Sequence, residues 1–142
     1  MAVDLGKART GLAICDEEEI LSWPAGVITE YNREKLTERI AREAAEYGAA
    51  QLVVGLPRNM DGTEGESARS AREFGAALAE RTGLPVDFCD ERGTTITAHE
   101  YLNATDTRGK RRKAVVDAVA ATVILENYLA ARRSRRAREG EA

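Results

Sequence analysis

A chain of 142 residues, 43% hydrophobic and 32% charged, has the size of one domain and the composition of an ordinary globular protein. No apolar run approaches the roughly 20 residues needed to span a bilayer, and no basic segment followed by an apolar one opens the chain, so the expectation is a cytoplasmic protein with no membrane partner. A net charge of −3 argues against a protein that coats nucleic acid indiscriminately.

Met1–Val3 followed by Asp4-Leu5-Gly6 reads as a short strand running into a tight turn. Thr10–Cys15 is a second strand, and Asp16–Glu19 a charged turn. Ile20–Ile28 is a third extended stretch, which Pro24 places near a sheet edge. Leu36, Ile40, Ala44 and Tyr47 recur at helical spacing and predict an amphipathic helix over Arg33–Tyr47, closed by Gly48. Gln51–Val54, bounded by Gly55 and Pro57, is apolar and too short for a helix, which predicts a strand buried on both faces. After the polar loop Arg58–Glu66 comes a second helix over Ser67–Arg81, with Ala71, Phe74 and Leu78 inward and Gly83 stopping it. Pro85–Cys89 is the last strand and delivers Asp90-Glu91-Arg92 at its end. Thr94–Asn103 reads as a short helix, Ala104–Arg112 as a flexible basic loop, and Lys113–Arg133 as a terminal helix apolar nearly all round from Ala114 to Leu125. Hairpin-type strands first and strand–helix–strand units afterwards imply an α/β domain with a mixed sheet and helices on its faces.

Three acidic sites fall at the ends of these elements. Asp4 closes the first strand, Asp90 and Glu91 close the last, and Asp117 lies four residues into the terminal helix. Ligands bind beyond the carboxyl ends of parallel strands, so the first two sites share an edge. Asp117 interrupts Val115–Leu125, a segment apolar enough to be buried. A lone carboxylate there costs roughly several kcal/mol unless it is paired or bound to metal. Lys113, one turn earlier on the same face, is one possible partner and a cation is the other. Ala120 and Ala121 are small enough to let the helix lie close to the strand ends. Singly, Asp4 also reads as a turn residue, and Asp90-Glu91-Arg92 as a solvated strand end with a local ion pair. Clustered carboxylates raise one another's pKa unless a cation neutralises them. Ligands that are all oxygen point to Mg²⁺ or Mn²⁺, which serve phosphoryl chemistry.

Basic residues concentrate in Arg108–Lys113 and in Arg132, Arg133, Arg135, Arg136 and Arg138. Cationic segments on an acidic body suit a polyanion gripped at one place. Residues 132–142 nevertheless read as a disordered Arg-rich tail, which leaves residues 1–131 as the folded domain. Few aromatics interleave with the basic runs, so no base-stacking platform is evident. Cys15 and Cys89 read as buried free thiols of a reducing compartment, and His99 as solvent-facing.

Four motifs in order resemble the YqgF/RuvX family, described as Holliday-junction resolvases and as nucleases that mature pre-16S ribosomal RNA. They are Asp4-Leu5-Gly6 with Arg9 and Gly11, then Gly55-Leu56-Pro57-Arg58-Asn59-Met60-Asp61-Gly62, then Asp90-Glu91-Arg92 with Thr94-Thr95, and Asp117 with Ala120-Ala121. The resemblance implies an RNase H-like α/β fold, in three layers, with a five-stranded mixed sheet flanked by helices and its first strand central. It also implies metal ligation and catalysis by Asp4, Glu91 and Asp117, with Asp90 as a possible additional ligand. Arg9, Arg58, Arg92, Arg111, Arg112 and Lys113 are the candidate contacts to substrate phosphates. Gly93 departs from the larger apolar residue usual in the family, and only Met1-Ala2-Val3 precede the first motif, so a three-residue central strand would be marginal. The implied partner is nucleic acid, RNA before DNA, and a homodimer is open. The alternatives are a four-way DNA junction resolvase and, in another class, a nucleic-acid-binding module without catalysis. A kinase or ATPase of the actin-like superfamily also begins Asp-x-Gly after a strand, but it needs a second such domain.

Overall fold

Five strands and three helices make up the part of the chain described by the computed structural model, residues 1–91 and 109–141, with side chains in the last helix from Val116 to Gly140. The strands are β1 (Ala2–Asp4), β2 (Arg9–Cys15), β3 (Ser22–Thr29), β4 (Leu52–Leu56) and β5 (Val86–Asp90). The helices are α1 (Arg33–Tyr47), α2 (Glu66–Thr82) and α3 (Gly109–Glu141). The sheet order is β3-β2-β1-β4-β5, with β1 at the centre and β3 and β5 at the edges. β1 is antiparallel to β2 and parallel to β4, and β4 is parallel to β5. The carboxyl ends of β1, β4 and β5 therefore meet at one edge of the sheet.

Alternation along the strands sorts the apolar side chains into two cores. Val3, Leu12, Leu52, Val54 and Leu56 face α1 and α2, where Leu36, Ile40, Ala44, Ala71, Phe74 and Leu78 are buried. Ala2, Ala13 and Val53 face the other way and take Ala121, Ile124, Leu125, Tyr128 and Leu129 of α3. Three layers result. Leu36 and Ile40 are almost completely buried, each worth about 1.5–3 kcal/mol of transfer free energy. The α3 side of the sheet is lined by small residues, so that helix lies close to it.

A central strand of three residues is held by more than its own ladder. The Met1 carbonyl accepts the Val53 N–H at 2.9 Å, and the Met1 ammonium donates to the Gln51 carbonyl at 2.9 Å. α1 has the expected bounds. Asn32 caps its start by accepting the Lys35 N–H, and Gly48 ends it at φ 66°. Tyr47, expected to face inward, ends the helix half-exposed instead, since the chain turns away at Gly48.

The terminal helix differs most from expectation. It begins at Gly109, within the expected loop, and runs to Glu141 through the expected tail. Lys110, Arg111 and Arg112 in the first extension, and Arg, Ala and Glu in most of the second, favour helix. The distal one is also tethered: Arg132 Nη1 pairs with Glu19 Oε1 at 2.5 Å, Arg136 Nη1 with Glu19 Oε2 at 3.3 Å, and Arg133 Nη1 donates to the Glu19 carbonyl at 3.1 Å. The expected helix Thr94–Asn103, the expected exposure of His99 and the departure at Gly93 lie outside the described residues. Among the described residues, no helix is long and apolar enough to cross a membrane. Cys15 and Cys89 are free and only partly buried.

Candidate active site

The three carboxylates are brought together around two glycines. Asp4 ends β1 and pairs across the antiparallel ladder with Gly11. On its other side the parallel register Val3–Val54 sets Asp4 level with Gly55 of β4. Gly55 leaves a gap that Glu91 uses: a Cβ there would lie 2.5 Å from Glu91 Oε2 and 2.7 Å from Ile124 Cδ1. Glu91 follows β5 directly, and its N–H donates to the Leu56 carbonyl at 3.2 Å. Its side chain reaches across β4 and is hydrogen-bonded to Asp4.

Asp117 arrives from the opposite layer. Its carbonyl oxygen sits where a Cβ on Gly11 would be, at 1.9 Å. The backbone of α3 thus rests on β2 beside Asp4. Arg9, at the start of β2, holds the Asp117 side chain with Nε 3.0 Å from Oδ2. The pair is close but poorly aligned, so Oδ2 remains a buried acceptor without a directed hydrogen bond. The expected alternative partner, Lys113, has its side chain outside the described residues.

Electrostatics follow from that crowding. Burial raises the Asp4 carboxyl above the ordinary carboxylate range, the charge of Asp117 adds to it, and the hydrogen bond from Glu91 opposes it. Glu91 is pushed up to about 8, first by burial, then by the charge of Asp4, its hydrogen bond to Asp4, and the charge of Asp90. Burial and mutual charge therefore raise the proton affinity of Asp4 and Glu91 as a pair. Burial also raises Asp117, against the pull of Arg9. Asp90 acts on the site through its charge, while Glu91 makes the contact with Asp4.

Among the described residues, no three acidic, cysteine or histidine side chains form a finished metal cage. Asp4 and Glu91 turn to each other over a proton, and Asp117 turns to Arg9. The donor set still suits a hard divalent cation. All of its ligands are carboxylate oxygens, one of them buried with an unfilled acceptor, and a cation would neutralise the charge crowding that raises Asp4 and Glu91.

The other expected contacts are dispersed. Arg58 follows β4, with Nη2 3.6 Å from Glu64 Oε2 and a buried Nε without a partner. Its loop is closed on itself by Asn59, Asp61 and Thr63. Arg92 and the side chains of Arg111, Arg112 and Lys113 lie outside the described residues. Lys7 and Tyr31, missed in the sequence, share a cavity with Asp117, and Arg33, also missed, lines a second cavity that reaches Gly55. Lys7 had a signal, since it follows the Asp-x-Gly turn, whereas Tyr31 and Arg33 reach the site only through the fold.

The RuvX family profile, described as Holliday junction resolvase, matches residues 1–131. Relatives named as candidate pre-16S rRNA nucleases include one from Lachnospira eligens, 42% identical over 132 residues, with 91% of this chain and 94% of that protein covered. Another, from Heliobacterium modesticaldum, is 37% identical over 142 residues, with 98% and 93% covered. Among solved structures, Thermus thermophilus RuvC in complex with Holliday junction substrate is similar with a TM-score of 0.56 at 14% identity, covering 92% of this chain and 93% of that one. That likeness shows the RNase H-like fold.

Proposed function

The chain belongs to the RuvX Holliday junction resolvase family, and we propose that it is a divalent-metal-dependent nuclease that hydrolyses phosphodiester bonds in structured nucleic acid and matures pre-16S ribosomal RNA in the cytoplasm. The observation that carries this reading is the convergence of Asp4, Glu91 and Asp117 from three elements on one sheet edge, around Gly11 and Gly55. The names of the relatives support the RNA substrate.

Asp4, Glu91 and Asp117 would hold Mg²⁺ or Mn²⁺, with Asp90 adding negative charge beside them. When bound, the ion supplies an activated water and stabilises the leaving oxygen. The chain's own part is placement. Gly55 lets the Glu91 carboxylate meet Asp4, and Gly11 lets α3 carry Asp117 to the same point. Asp4 and Glu91 would bind the ion as carboxylates, its charge offsetting the repulsion between them. Arg9 keeps Asp117 oriented and faces the incoming phosphate. Arg58, Arg92, Arg111, Arg112 and Lys113 would grip flanking phosphates. A binding module without catalysis would have no use for three half-buried carboxylates whose mutual repulsion costs stability.

The test is cleavage by the purified protein of an RNA carrying the unprocessed ends of 16S ribosomal RNA, beside a DNA four-way junction, in Mg²⁺, in Mn²⁺ and in chelator. The expected result is cleavage of the RNA in metal and of neither substrate in chelator. Cleavage of the junction alone would transfer the assignment to a resolvase, and cleavage of neither substrate in metal would overturn the nuclease reading.

A further inference from the structure

The turn between β1 and β2 separates two cavities, one lined by Asp117 and the other reaching the site only at Gly55. Gly6 makes that turn tight, since a Cβ on it would lie 2.1 Å from the Arg9 carbonyl oxygen. Gly6 and the exposed Lys7 line both cavities. One, of about 430 Å³, extends from Gly55 to Arg33 at the start of α1 and to Ser67 and Ser70 of α2. The other, of about 420 Å³, holds Arg9, Tyr31 and Asp117. The first touches the site through Gly55, which backs the Glu91 carboxylate, and the second through Asp117 itself.

Their chemistry differs. Lys7 and Arg33 have no carboxylate partner among the described residues, and Arg33 is steadied by the Phe74 ring, 5.5 Å from its guanidinium carbon. Two cations without a carboxylate partner among the described residues, and two serines beside one carboxylate, Glu66, suit the first cavity to an anion. In the second, Tyr31 is 76% exposed. An exposed ring next to an arginine has the composition of a base-stacking platform. Each cavity is in the range that admits one small ligand.

We propose that the two cavities seat one unpaired strand of the substrate across the carboxylates, with a base stacked on Tyr31 on the Asp117 side and a phosphate held by Lys7 and Arg33, beside Ser67 and Ser70, on the Gly55 side. The identity of the strand rests on the nuclease reading. The consequence is a substrate class: the cleaved bond lies in a single-stranded segment, and any paired stem stays outside the two cavities.

The test is binding of a short single-stranded oligoribonucleotide, in chelator so that the strand stays whole, across a range of salt. Lys7→Ala/Arg33→Ala should lower affinity about ten-fold or more and flatten the slope against log salt by about 1.4, because each phosphate contact on a single strand contributes about 0.7. Tyr31→Ala should lower affinity about ten-fold with the slope unchanged, since stacking releases no counterion, and Tyr31→Phe should restore it. A wild-type slope in the double variant, or a Tyr31→Phe protein as weak as Tyr31→Ala, overturns the strand path. Cleavage of the same RNA in Mg²⁺ separates the two claims. Wild-type cleavage with unaltered binding by the variants sinks the path alone. The expected binding changes in a protein that cuts nothing support the path and sink the nuclease reading.

Discussion

A Cβ on Gly11 would lie 1.9 Å from the carbonyl oxygen of Asp117 and 3.0 Å from the Ala118 nitrogen, so this glycine sets how closely α3 approaches the sheet. No flexible side chain can yield there, because both atoms belong to the helix backbone. Gly11→Ala should therefore lift α3 and carry the Asp117 carboxylate away from Asp4. Replacing Gly by Ala elsewhere gains about 0.4–1 kcal/mol through the unfolded chain, but overpacking costs about 1–3 kcal/mol and should win here. Urea unfolding should show the net loss, and turnover under conditions where the variant is fully folded should fall much further. A variant with wild-type turnover would show that the helix contact does not position the carboxylate.

Titration of the carboxylates gives a second expectation. Glu91 moves from 4.5 to about 8 on folding, with burial and the charge of Asp4 as the main causes. A raised carboxyl pKa contributes stability below 4.5, where both states are protonated, and loses it progressively as pH rises toward about 8. Glu64, lowered by its hydrogen bond from Arg72, pulls the other way, but from the solvent-screened surface. In chelator the melting temperature should fall across that window, and Glu91→Gln should flatten the fall. Saturating Mg²⁺ or Mn²⁺ should raise the melting temperature most at the alkaline end, where the ion displaces no proton. Equal melting temperatures in metal and in chelator at that end would contradict a preformed site.

Much of this arrangement is visible in the sequence, and the residues that escape it do so for physical reasons. Leu36, Ile40 and Ala44 recur at helical spacing, so α1 is legible to its bounds. Asp117 stands out because a charge interrupts an apolar run. Gly11 belongs to a recognisable motif, yet its task depends on a helix that arrives more than a hundred residues later. For Asp117 local spacing points to Lys113, one turn away and with its side chain outside the described residues, while the partner the structure describes is Arg9, from another layer. The C-terminal residues read as a tail because composition is all that a short polar segment offers. Their anchor, Glu19, is just as distant in sequence.

That anchor is testable by itself. Glu19 has φ 59°, a conformation that costs a non-glycine residue energy. Its carboxylate takes Arg132 and Arg136, and Arg132 also donates to Gln51 Oε1 and to the Tyr128 hydroxyl. Glu19→Gly relieves the backbone while removing both ion pairs. Amide exchange should then accelerate over residues 132–141, with a change in global stability of about 1 kcal/mol or less, as for a partly exposed pair, and with cleavage retained. Unchanged exchange there would show that helix propensity alone holds these turns.

Asp117→Asn separates a catalytic carboxylate from a structural one. Asn nearly preserves the volume of Asp, so α3 should still rest on Gly11 and bury Ala118 and Ala121. The change removes the ion pair with Arg9, whose side chain is 42% exposed, so the stability lost is about 1 kcal/mol or less. Some of that returns, because burial disfavours the charge on Asp117 in the first place. Catalysis should respond quite differently. An amide oxygen is a weaker ligand for a hard cation than a carboxylate. With the ion lost or displaced, neither the attacking water nor the leaving oxygen is stabilised, and turnover should fall by several orders of magnitude. A residue that served only to pair with Arg9 would give the reverse pattern, a softened protein that still cuts, and Arg9→Ala would then reproduce it. Turnover of the Asp117→Asn protein in saturating Mn²⁺, with its melting temperature measured beside it, decides between the two. Near-normal cleavage would remove Asp117 from the catalytic set.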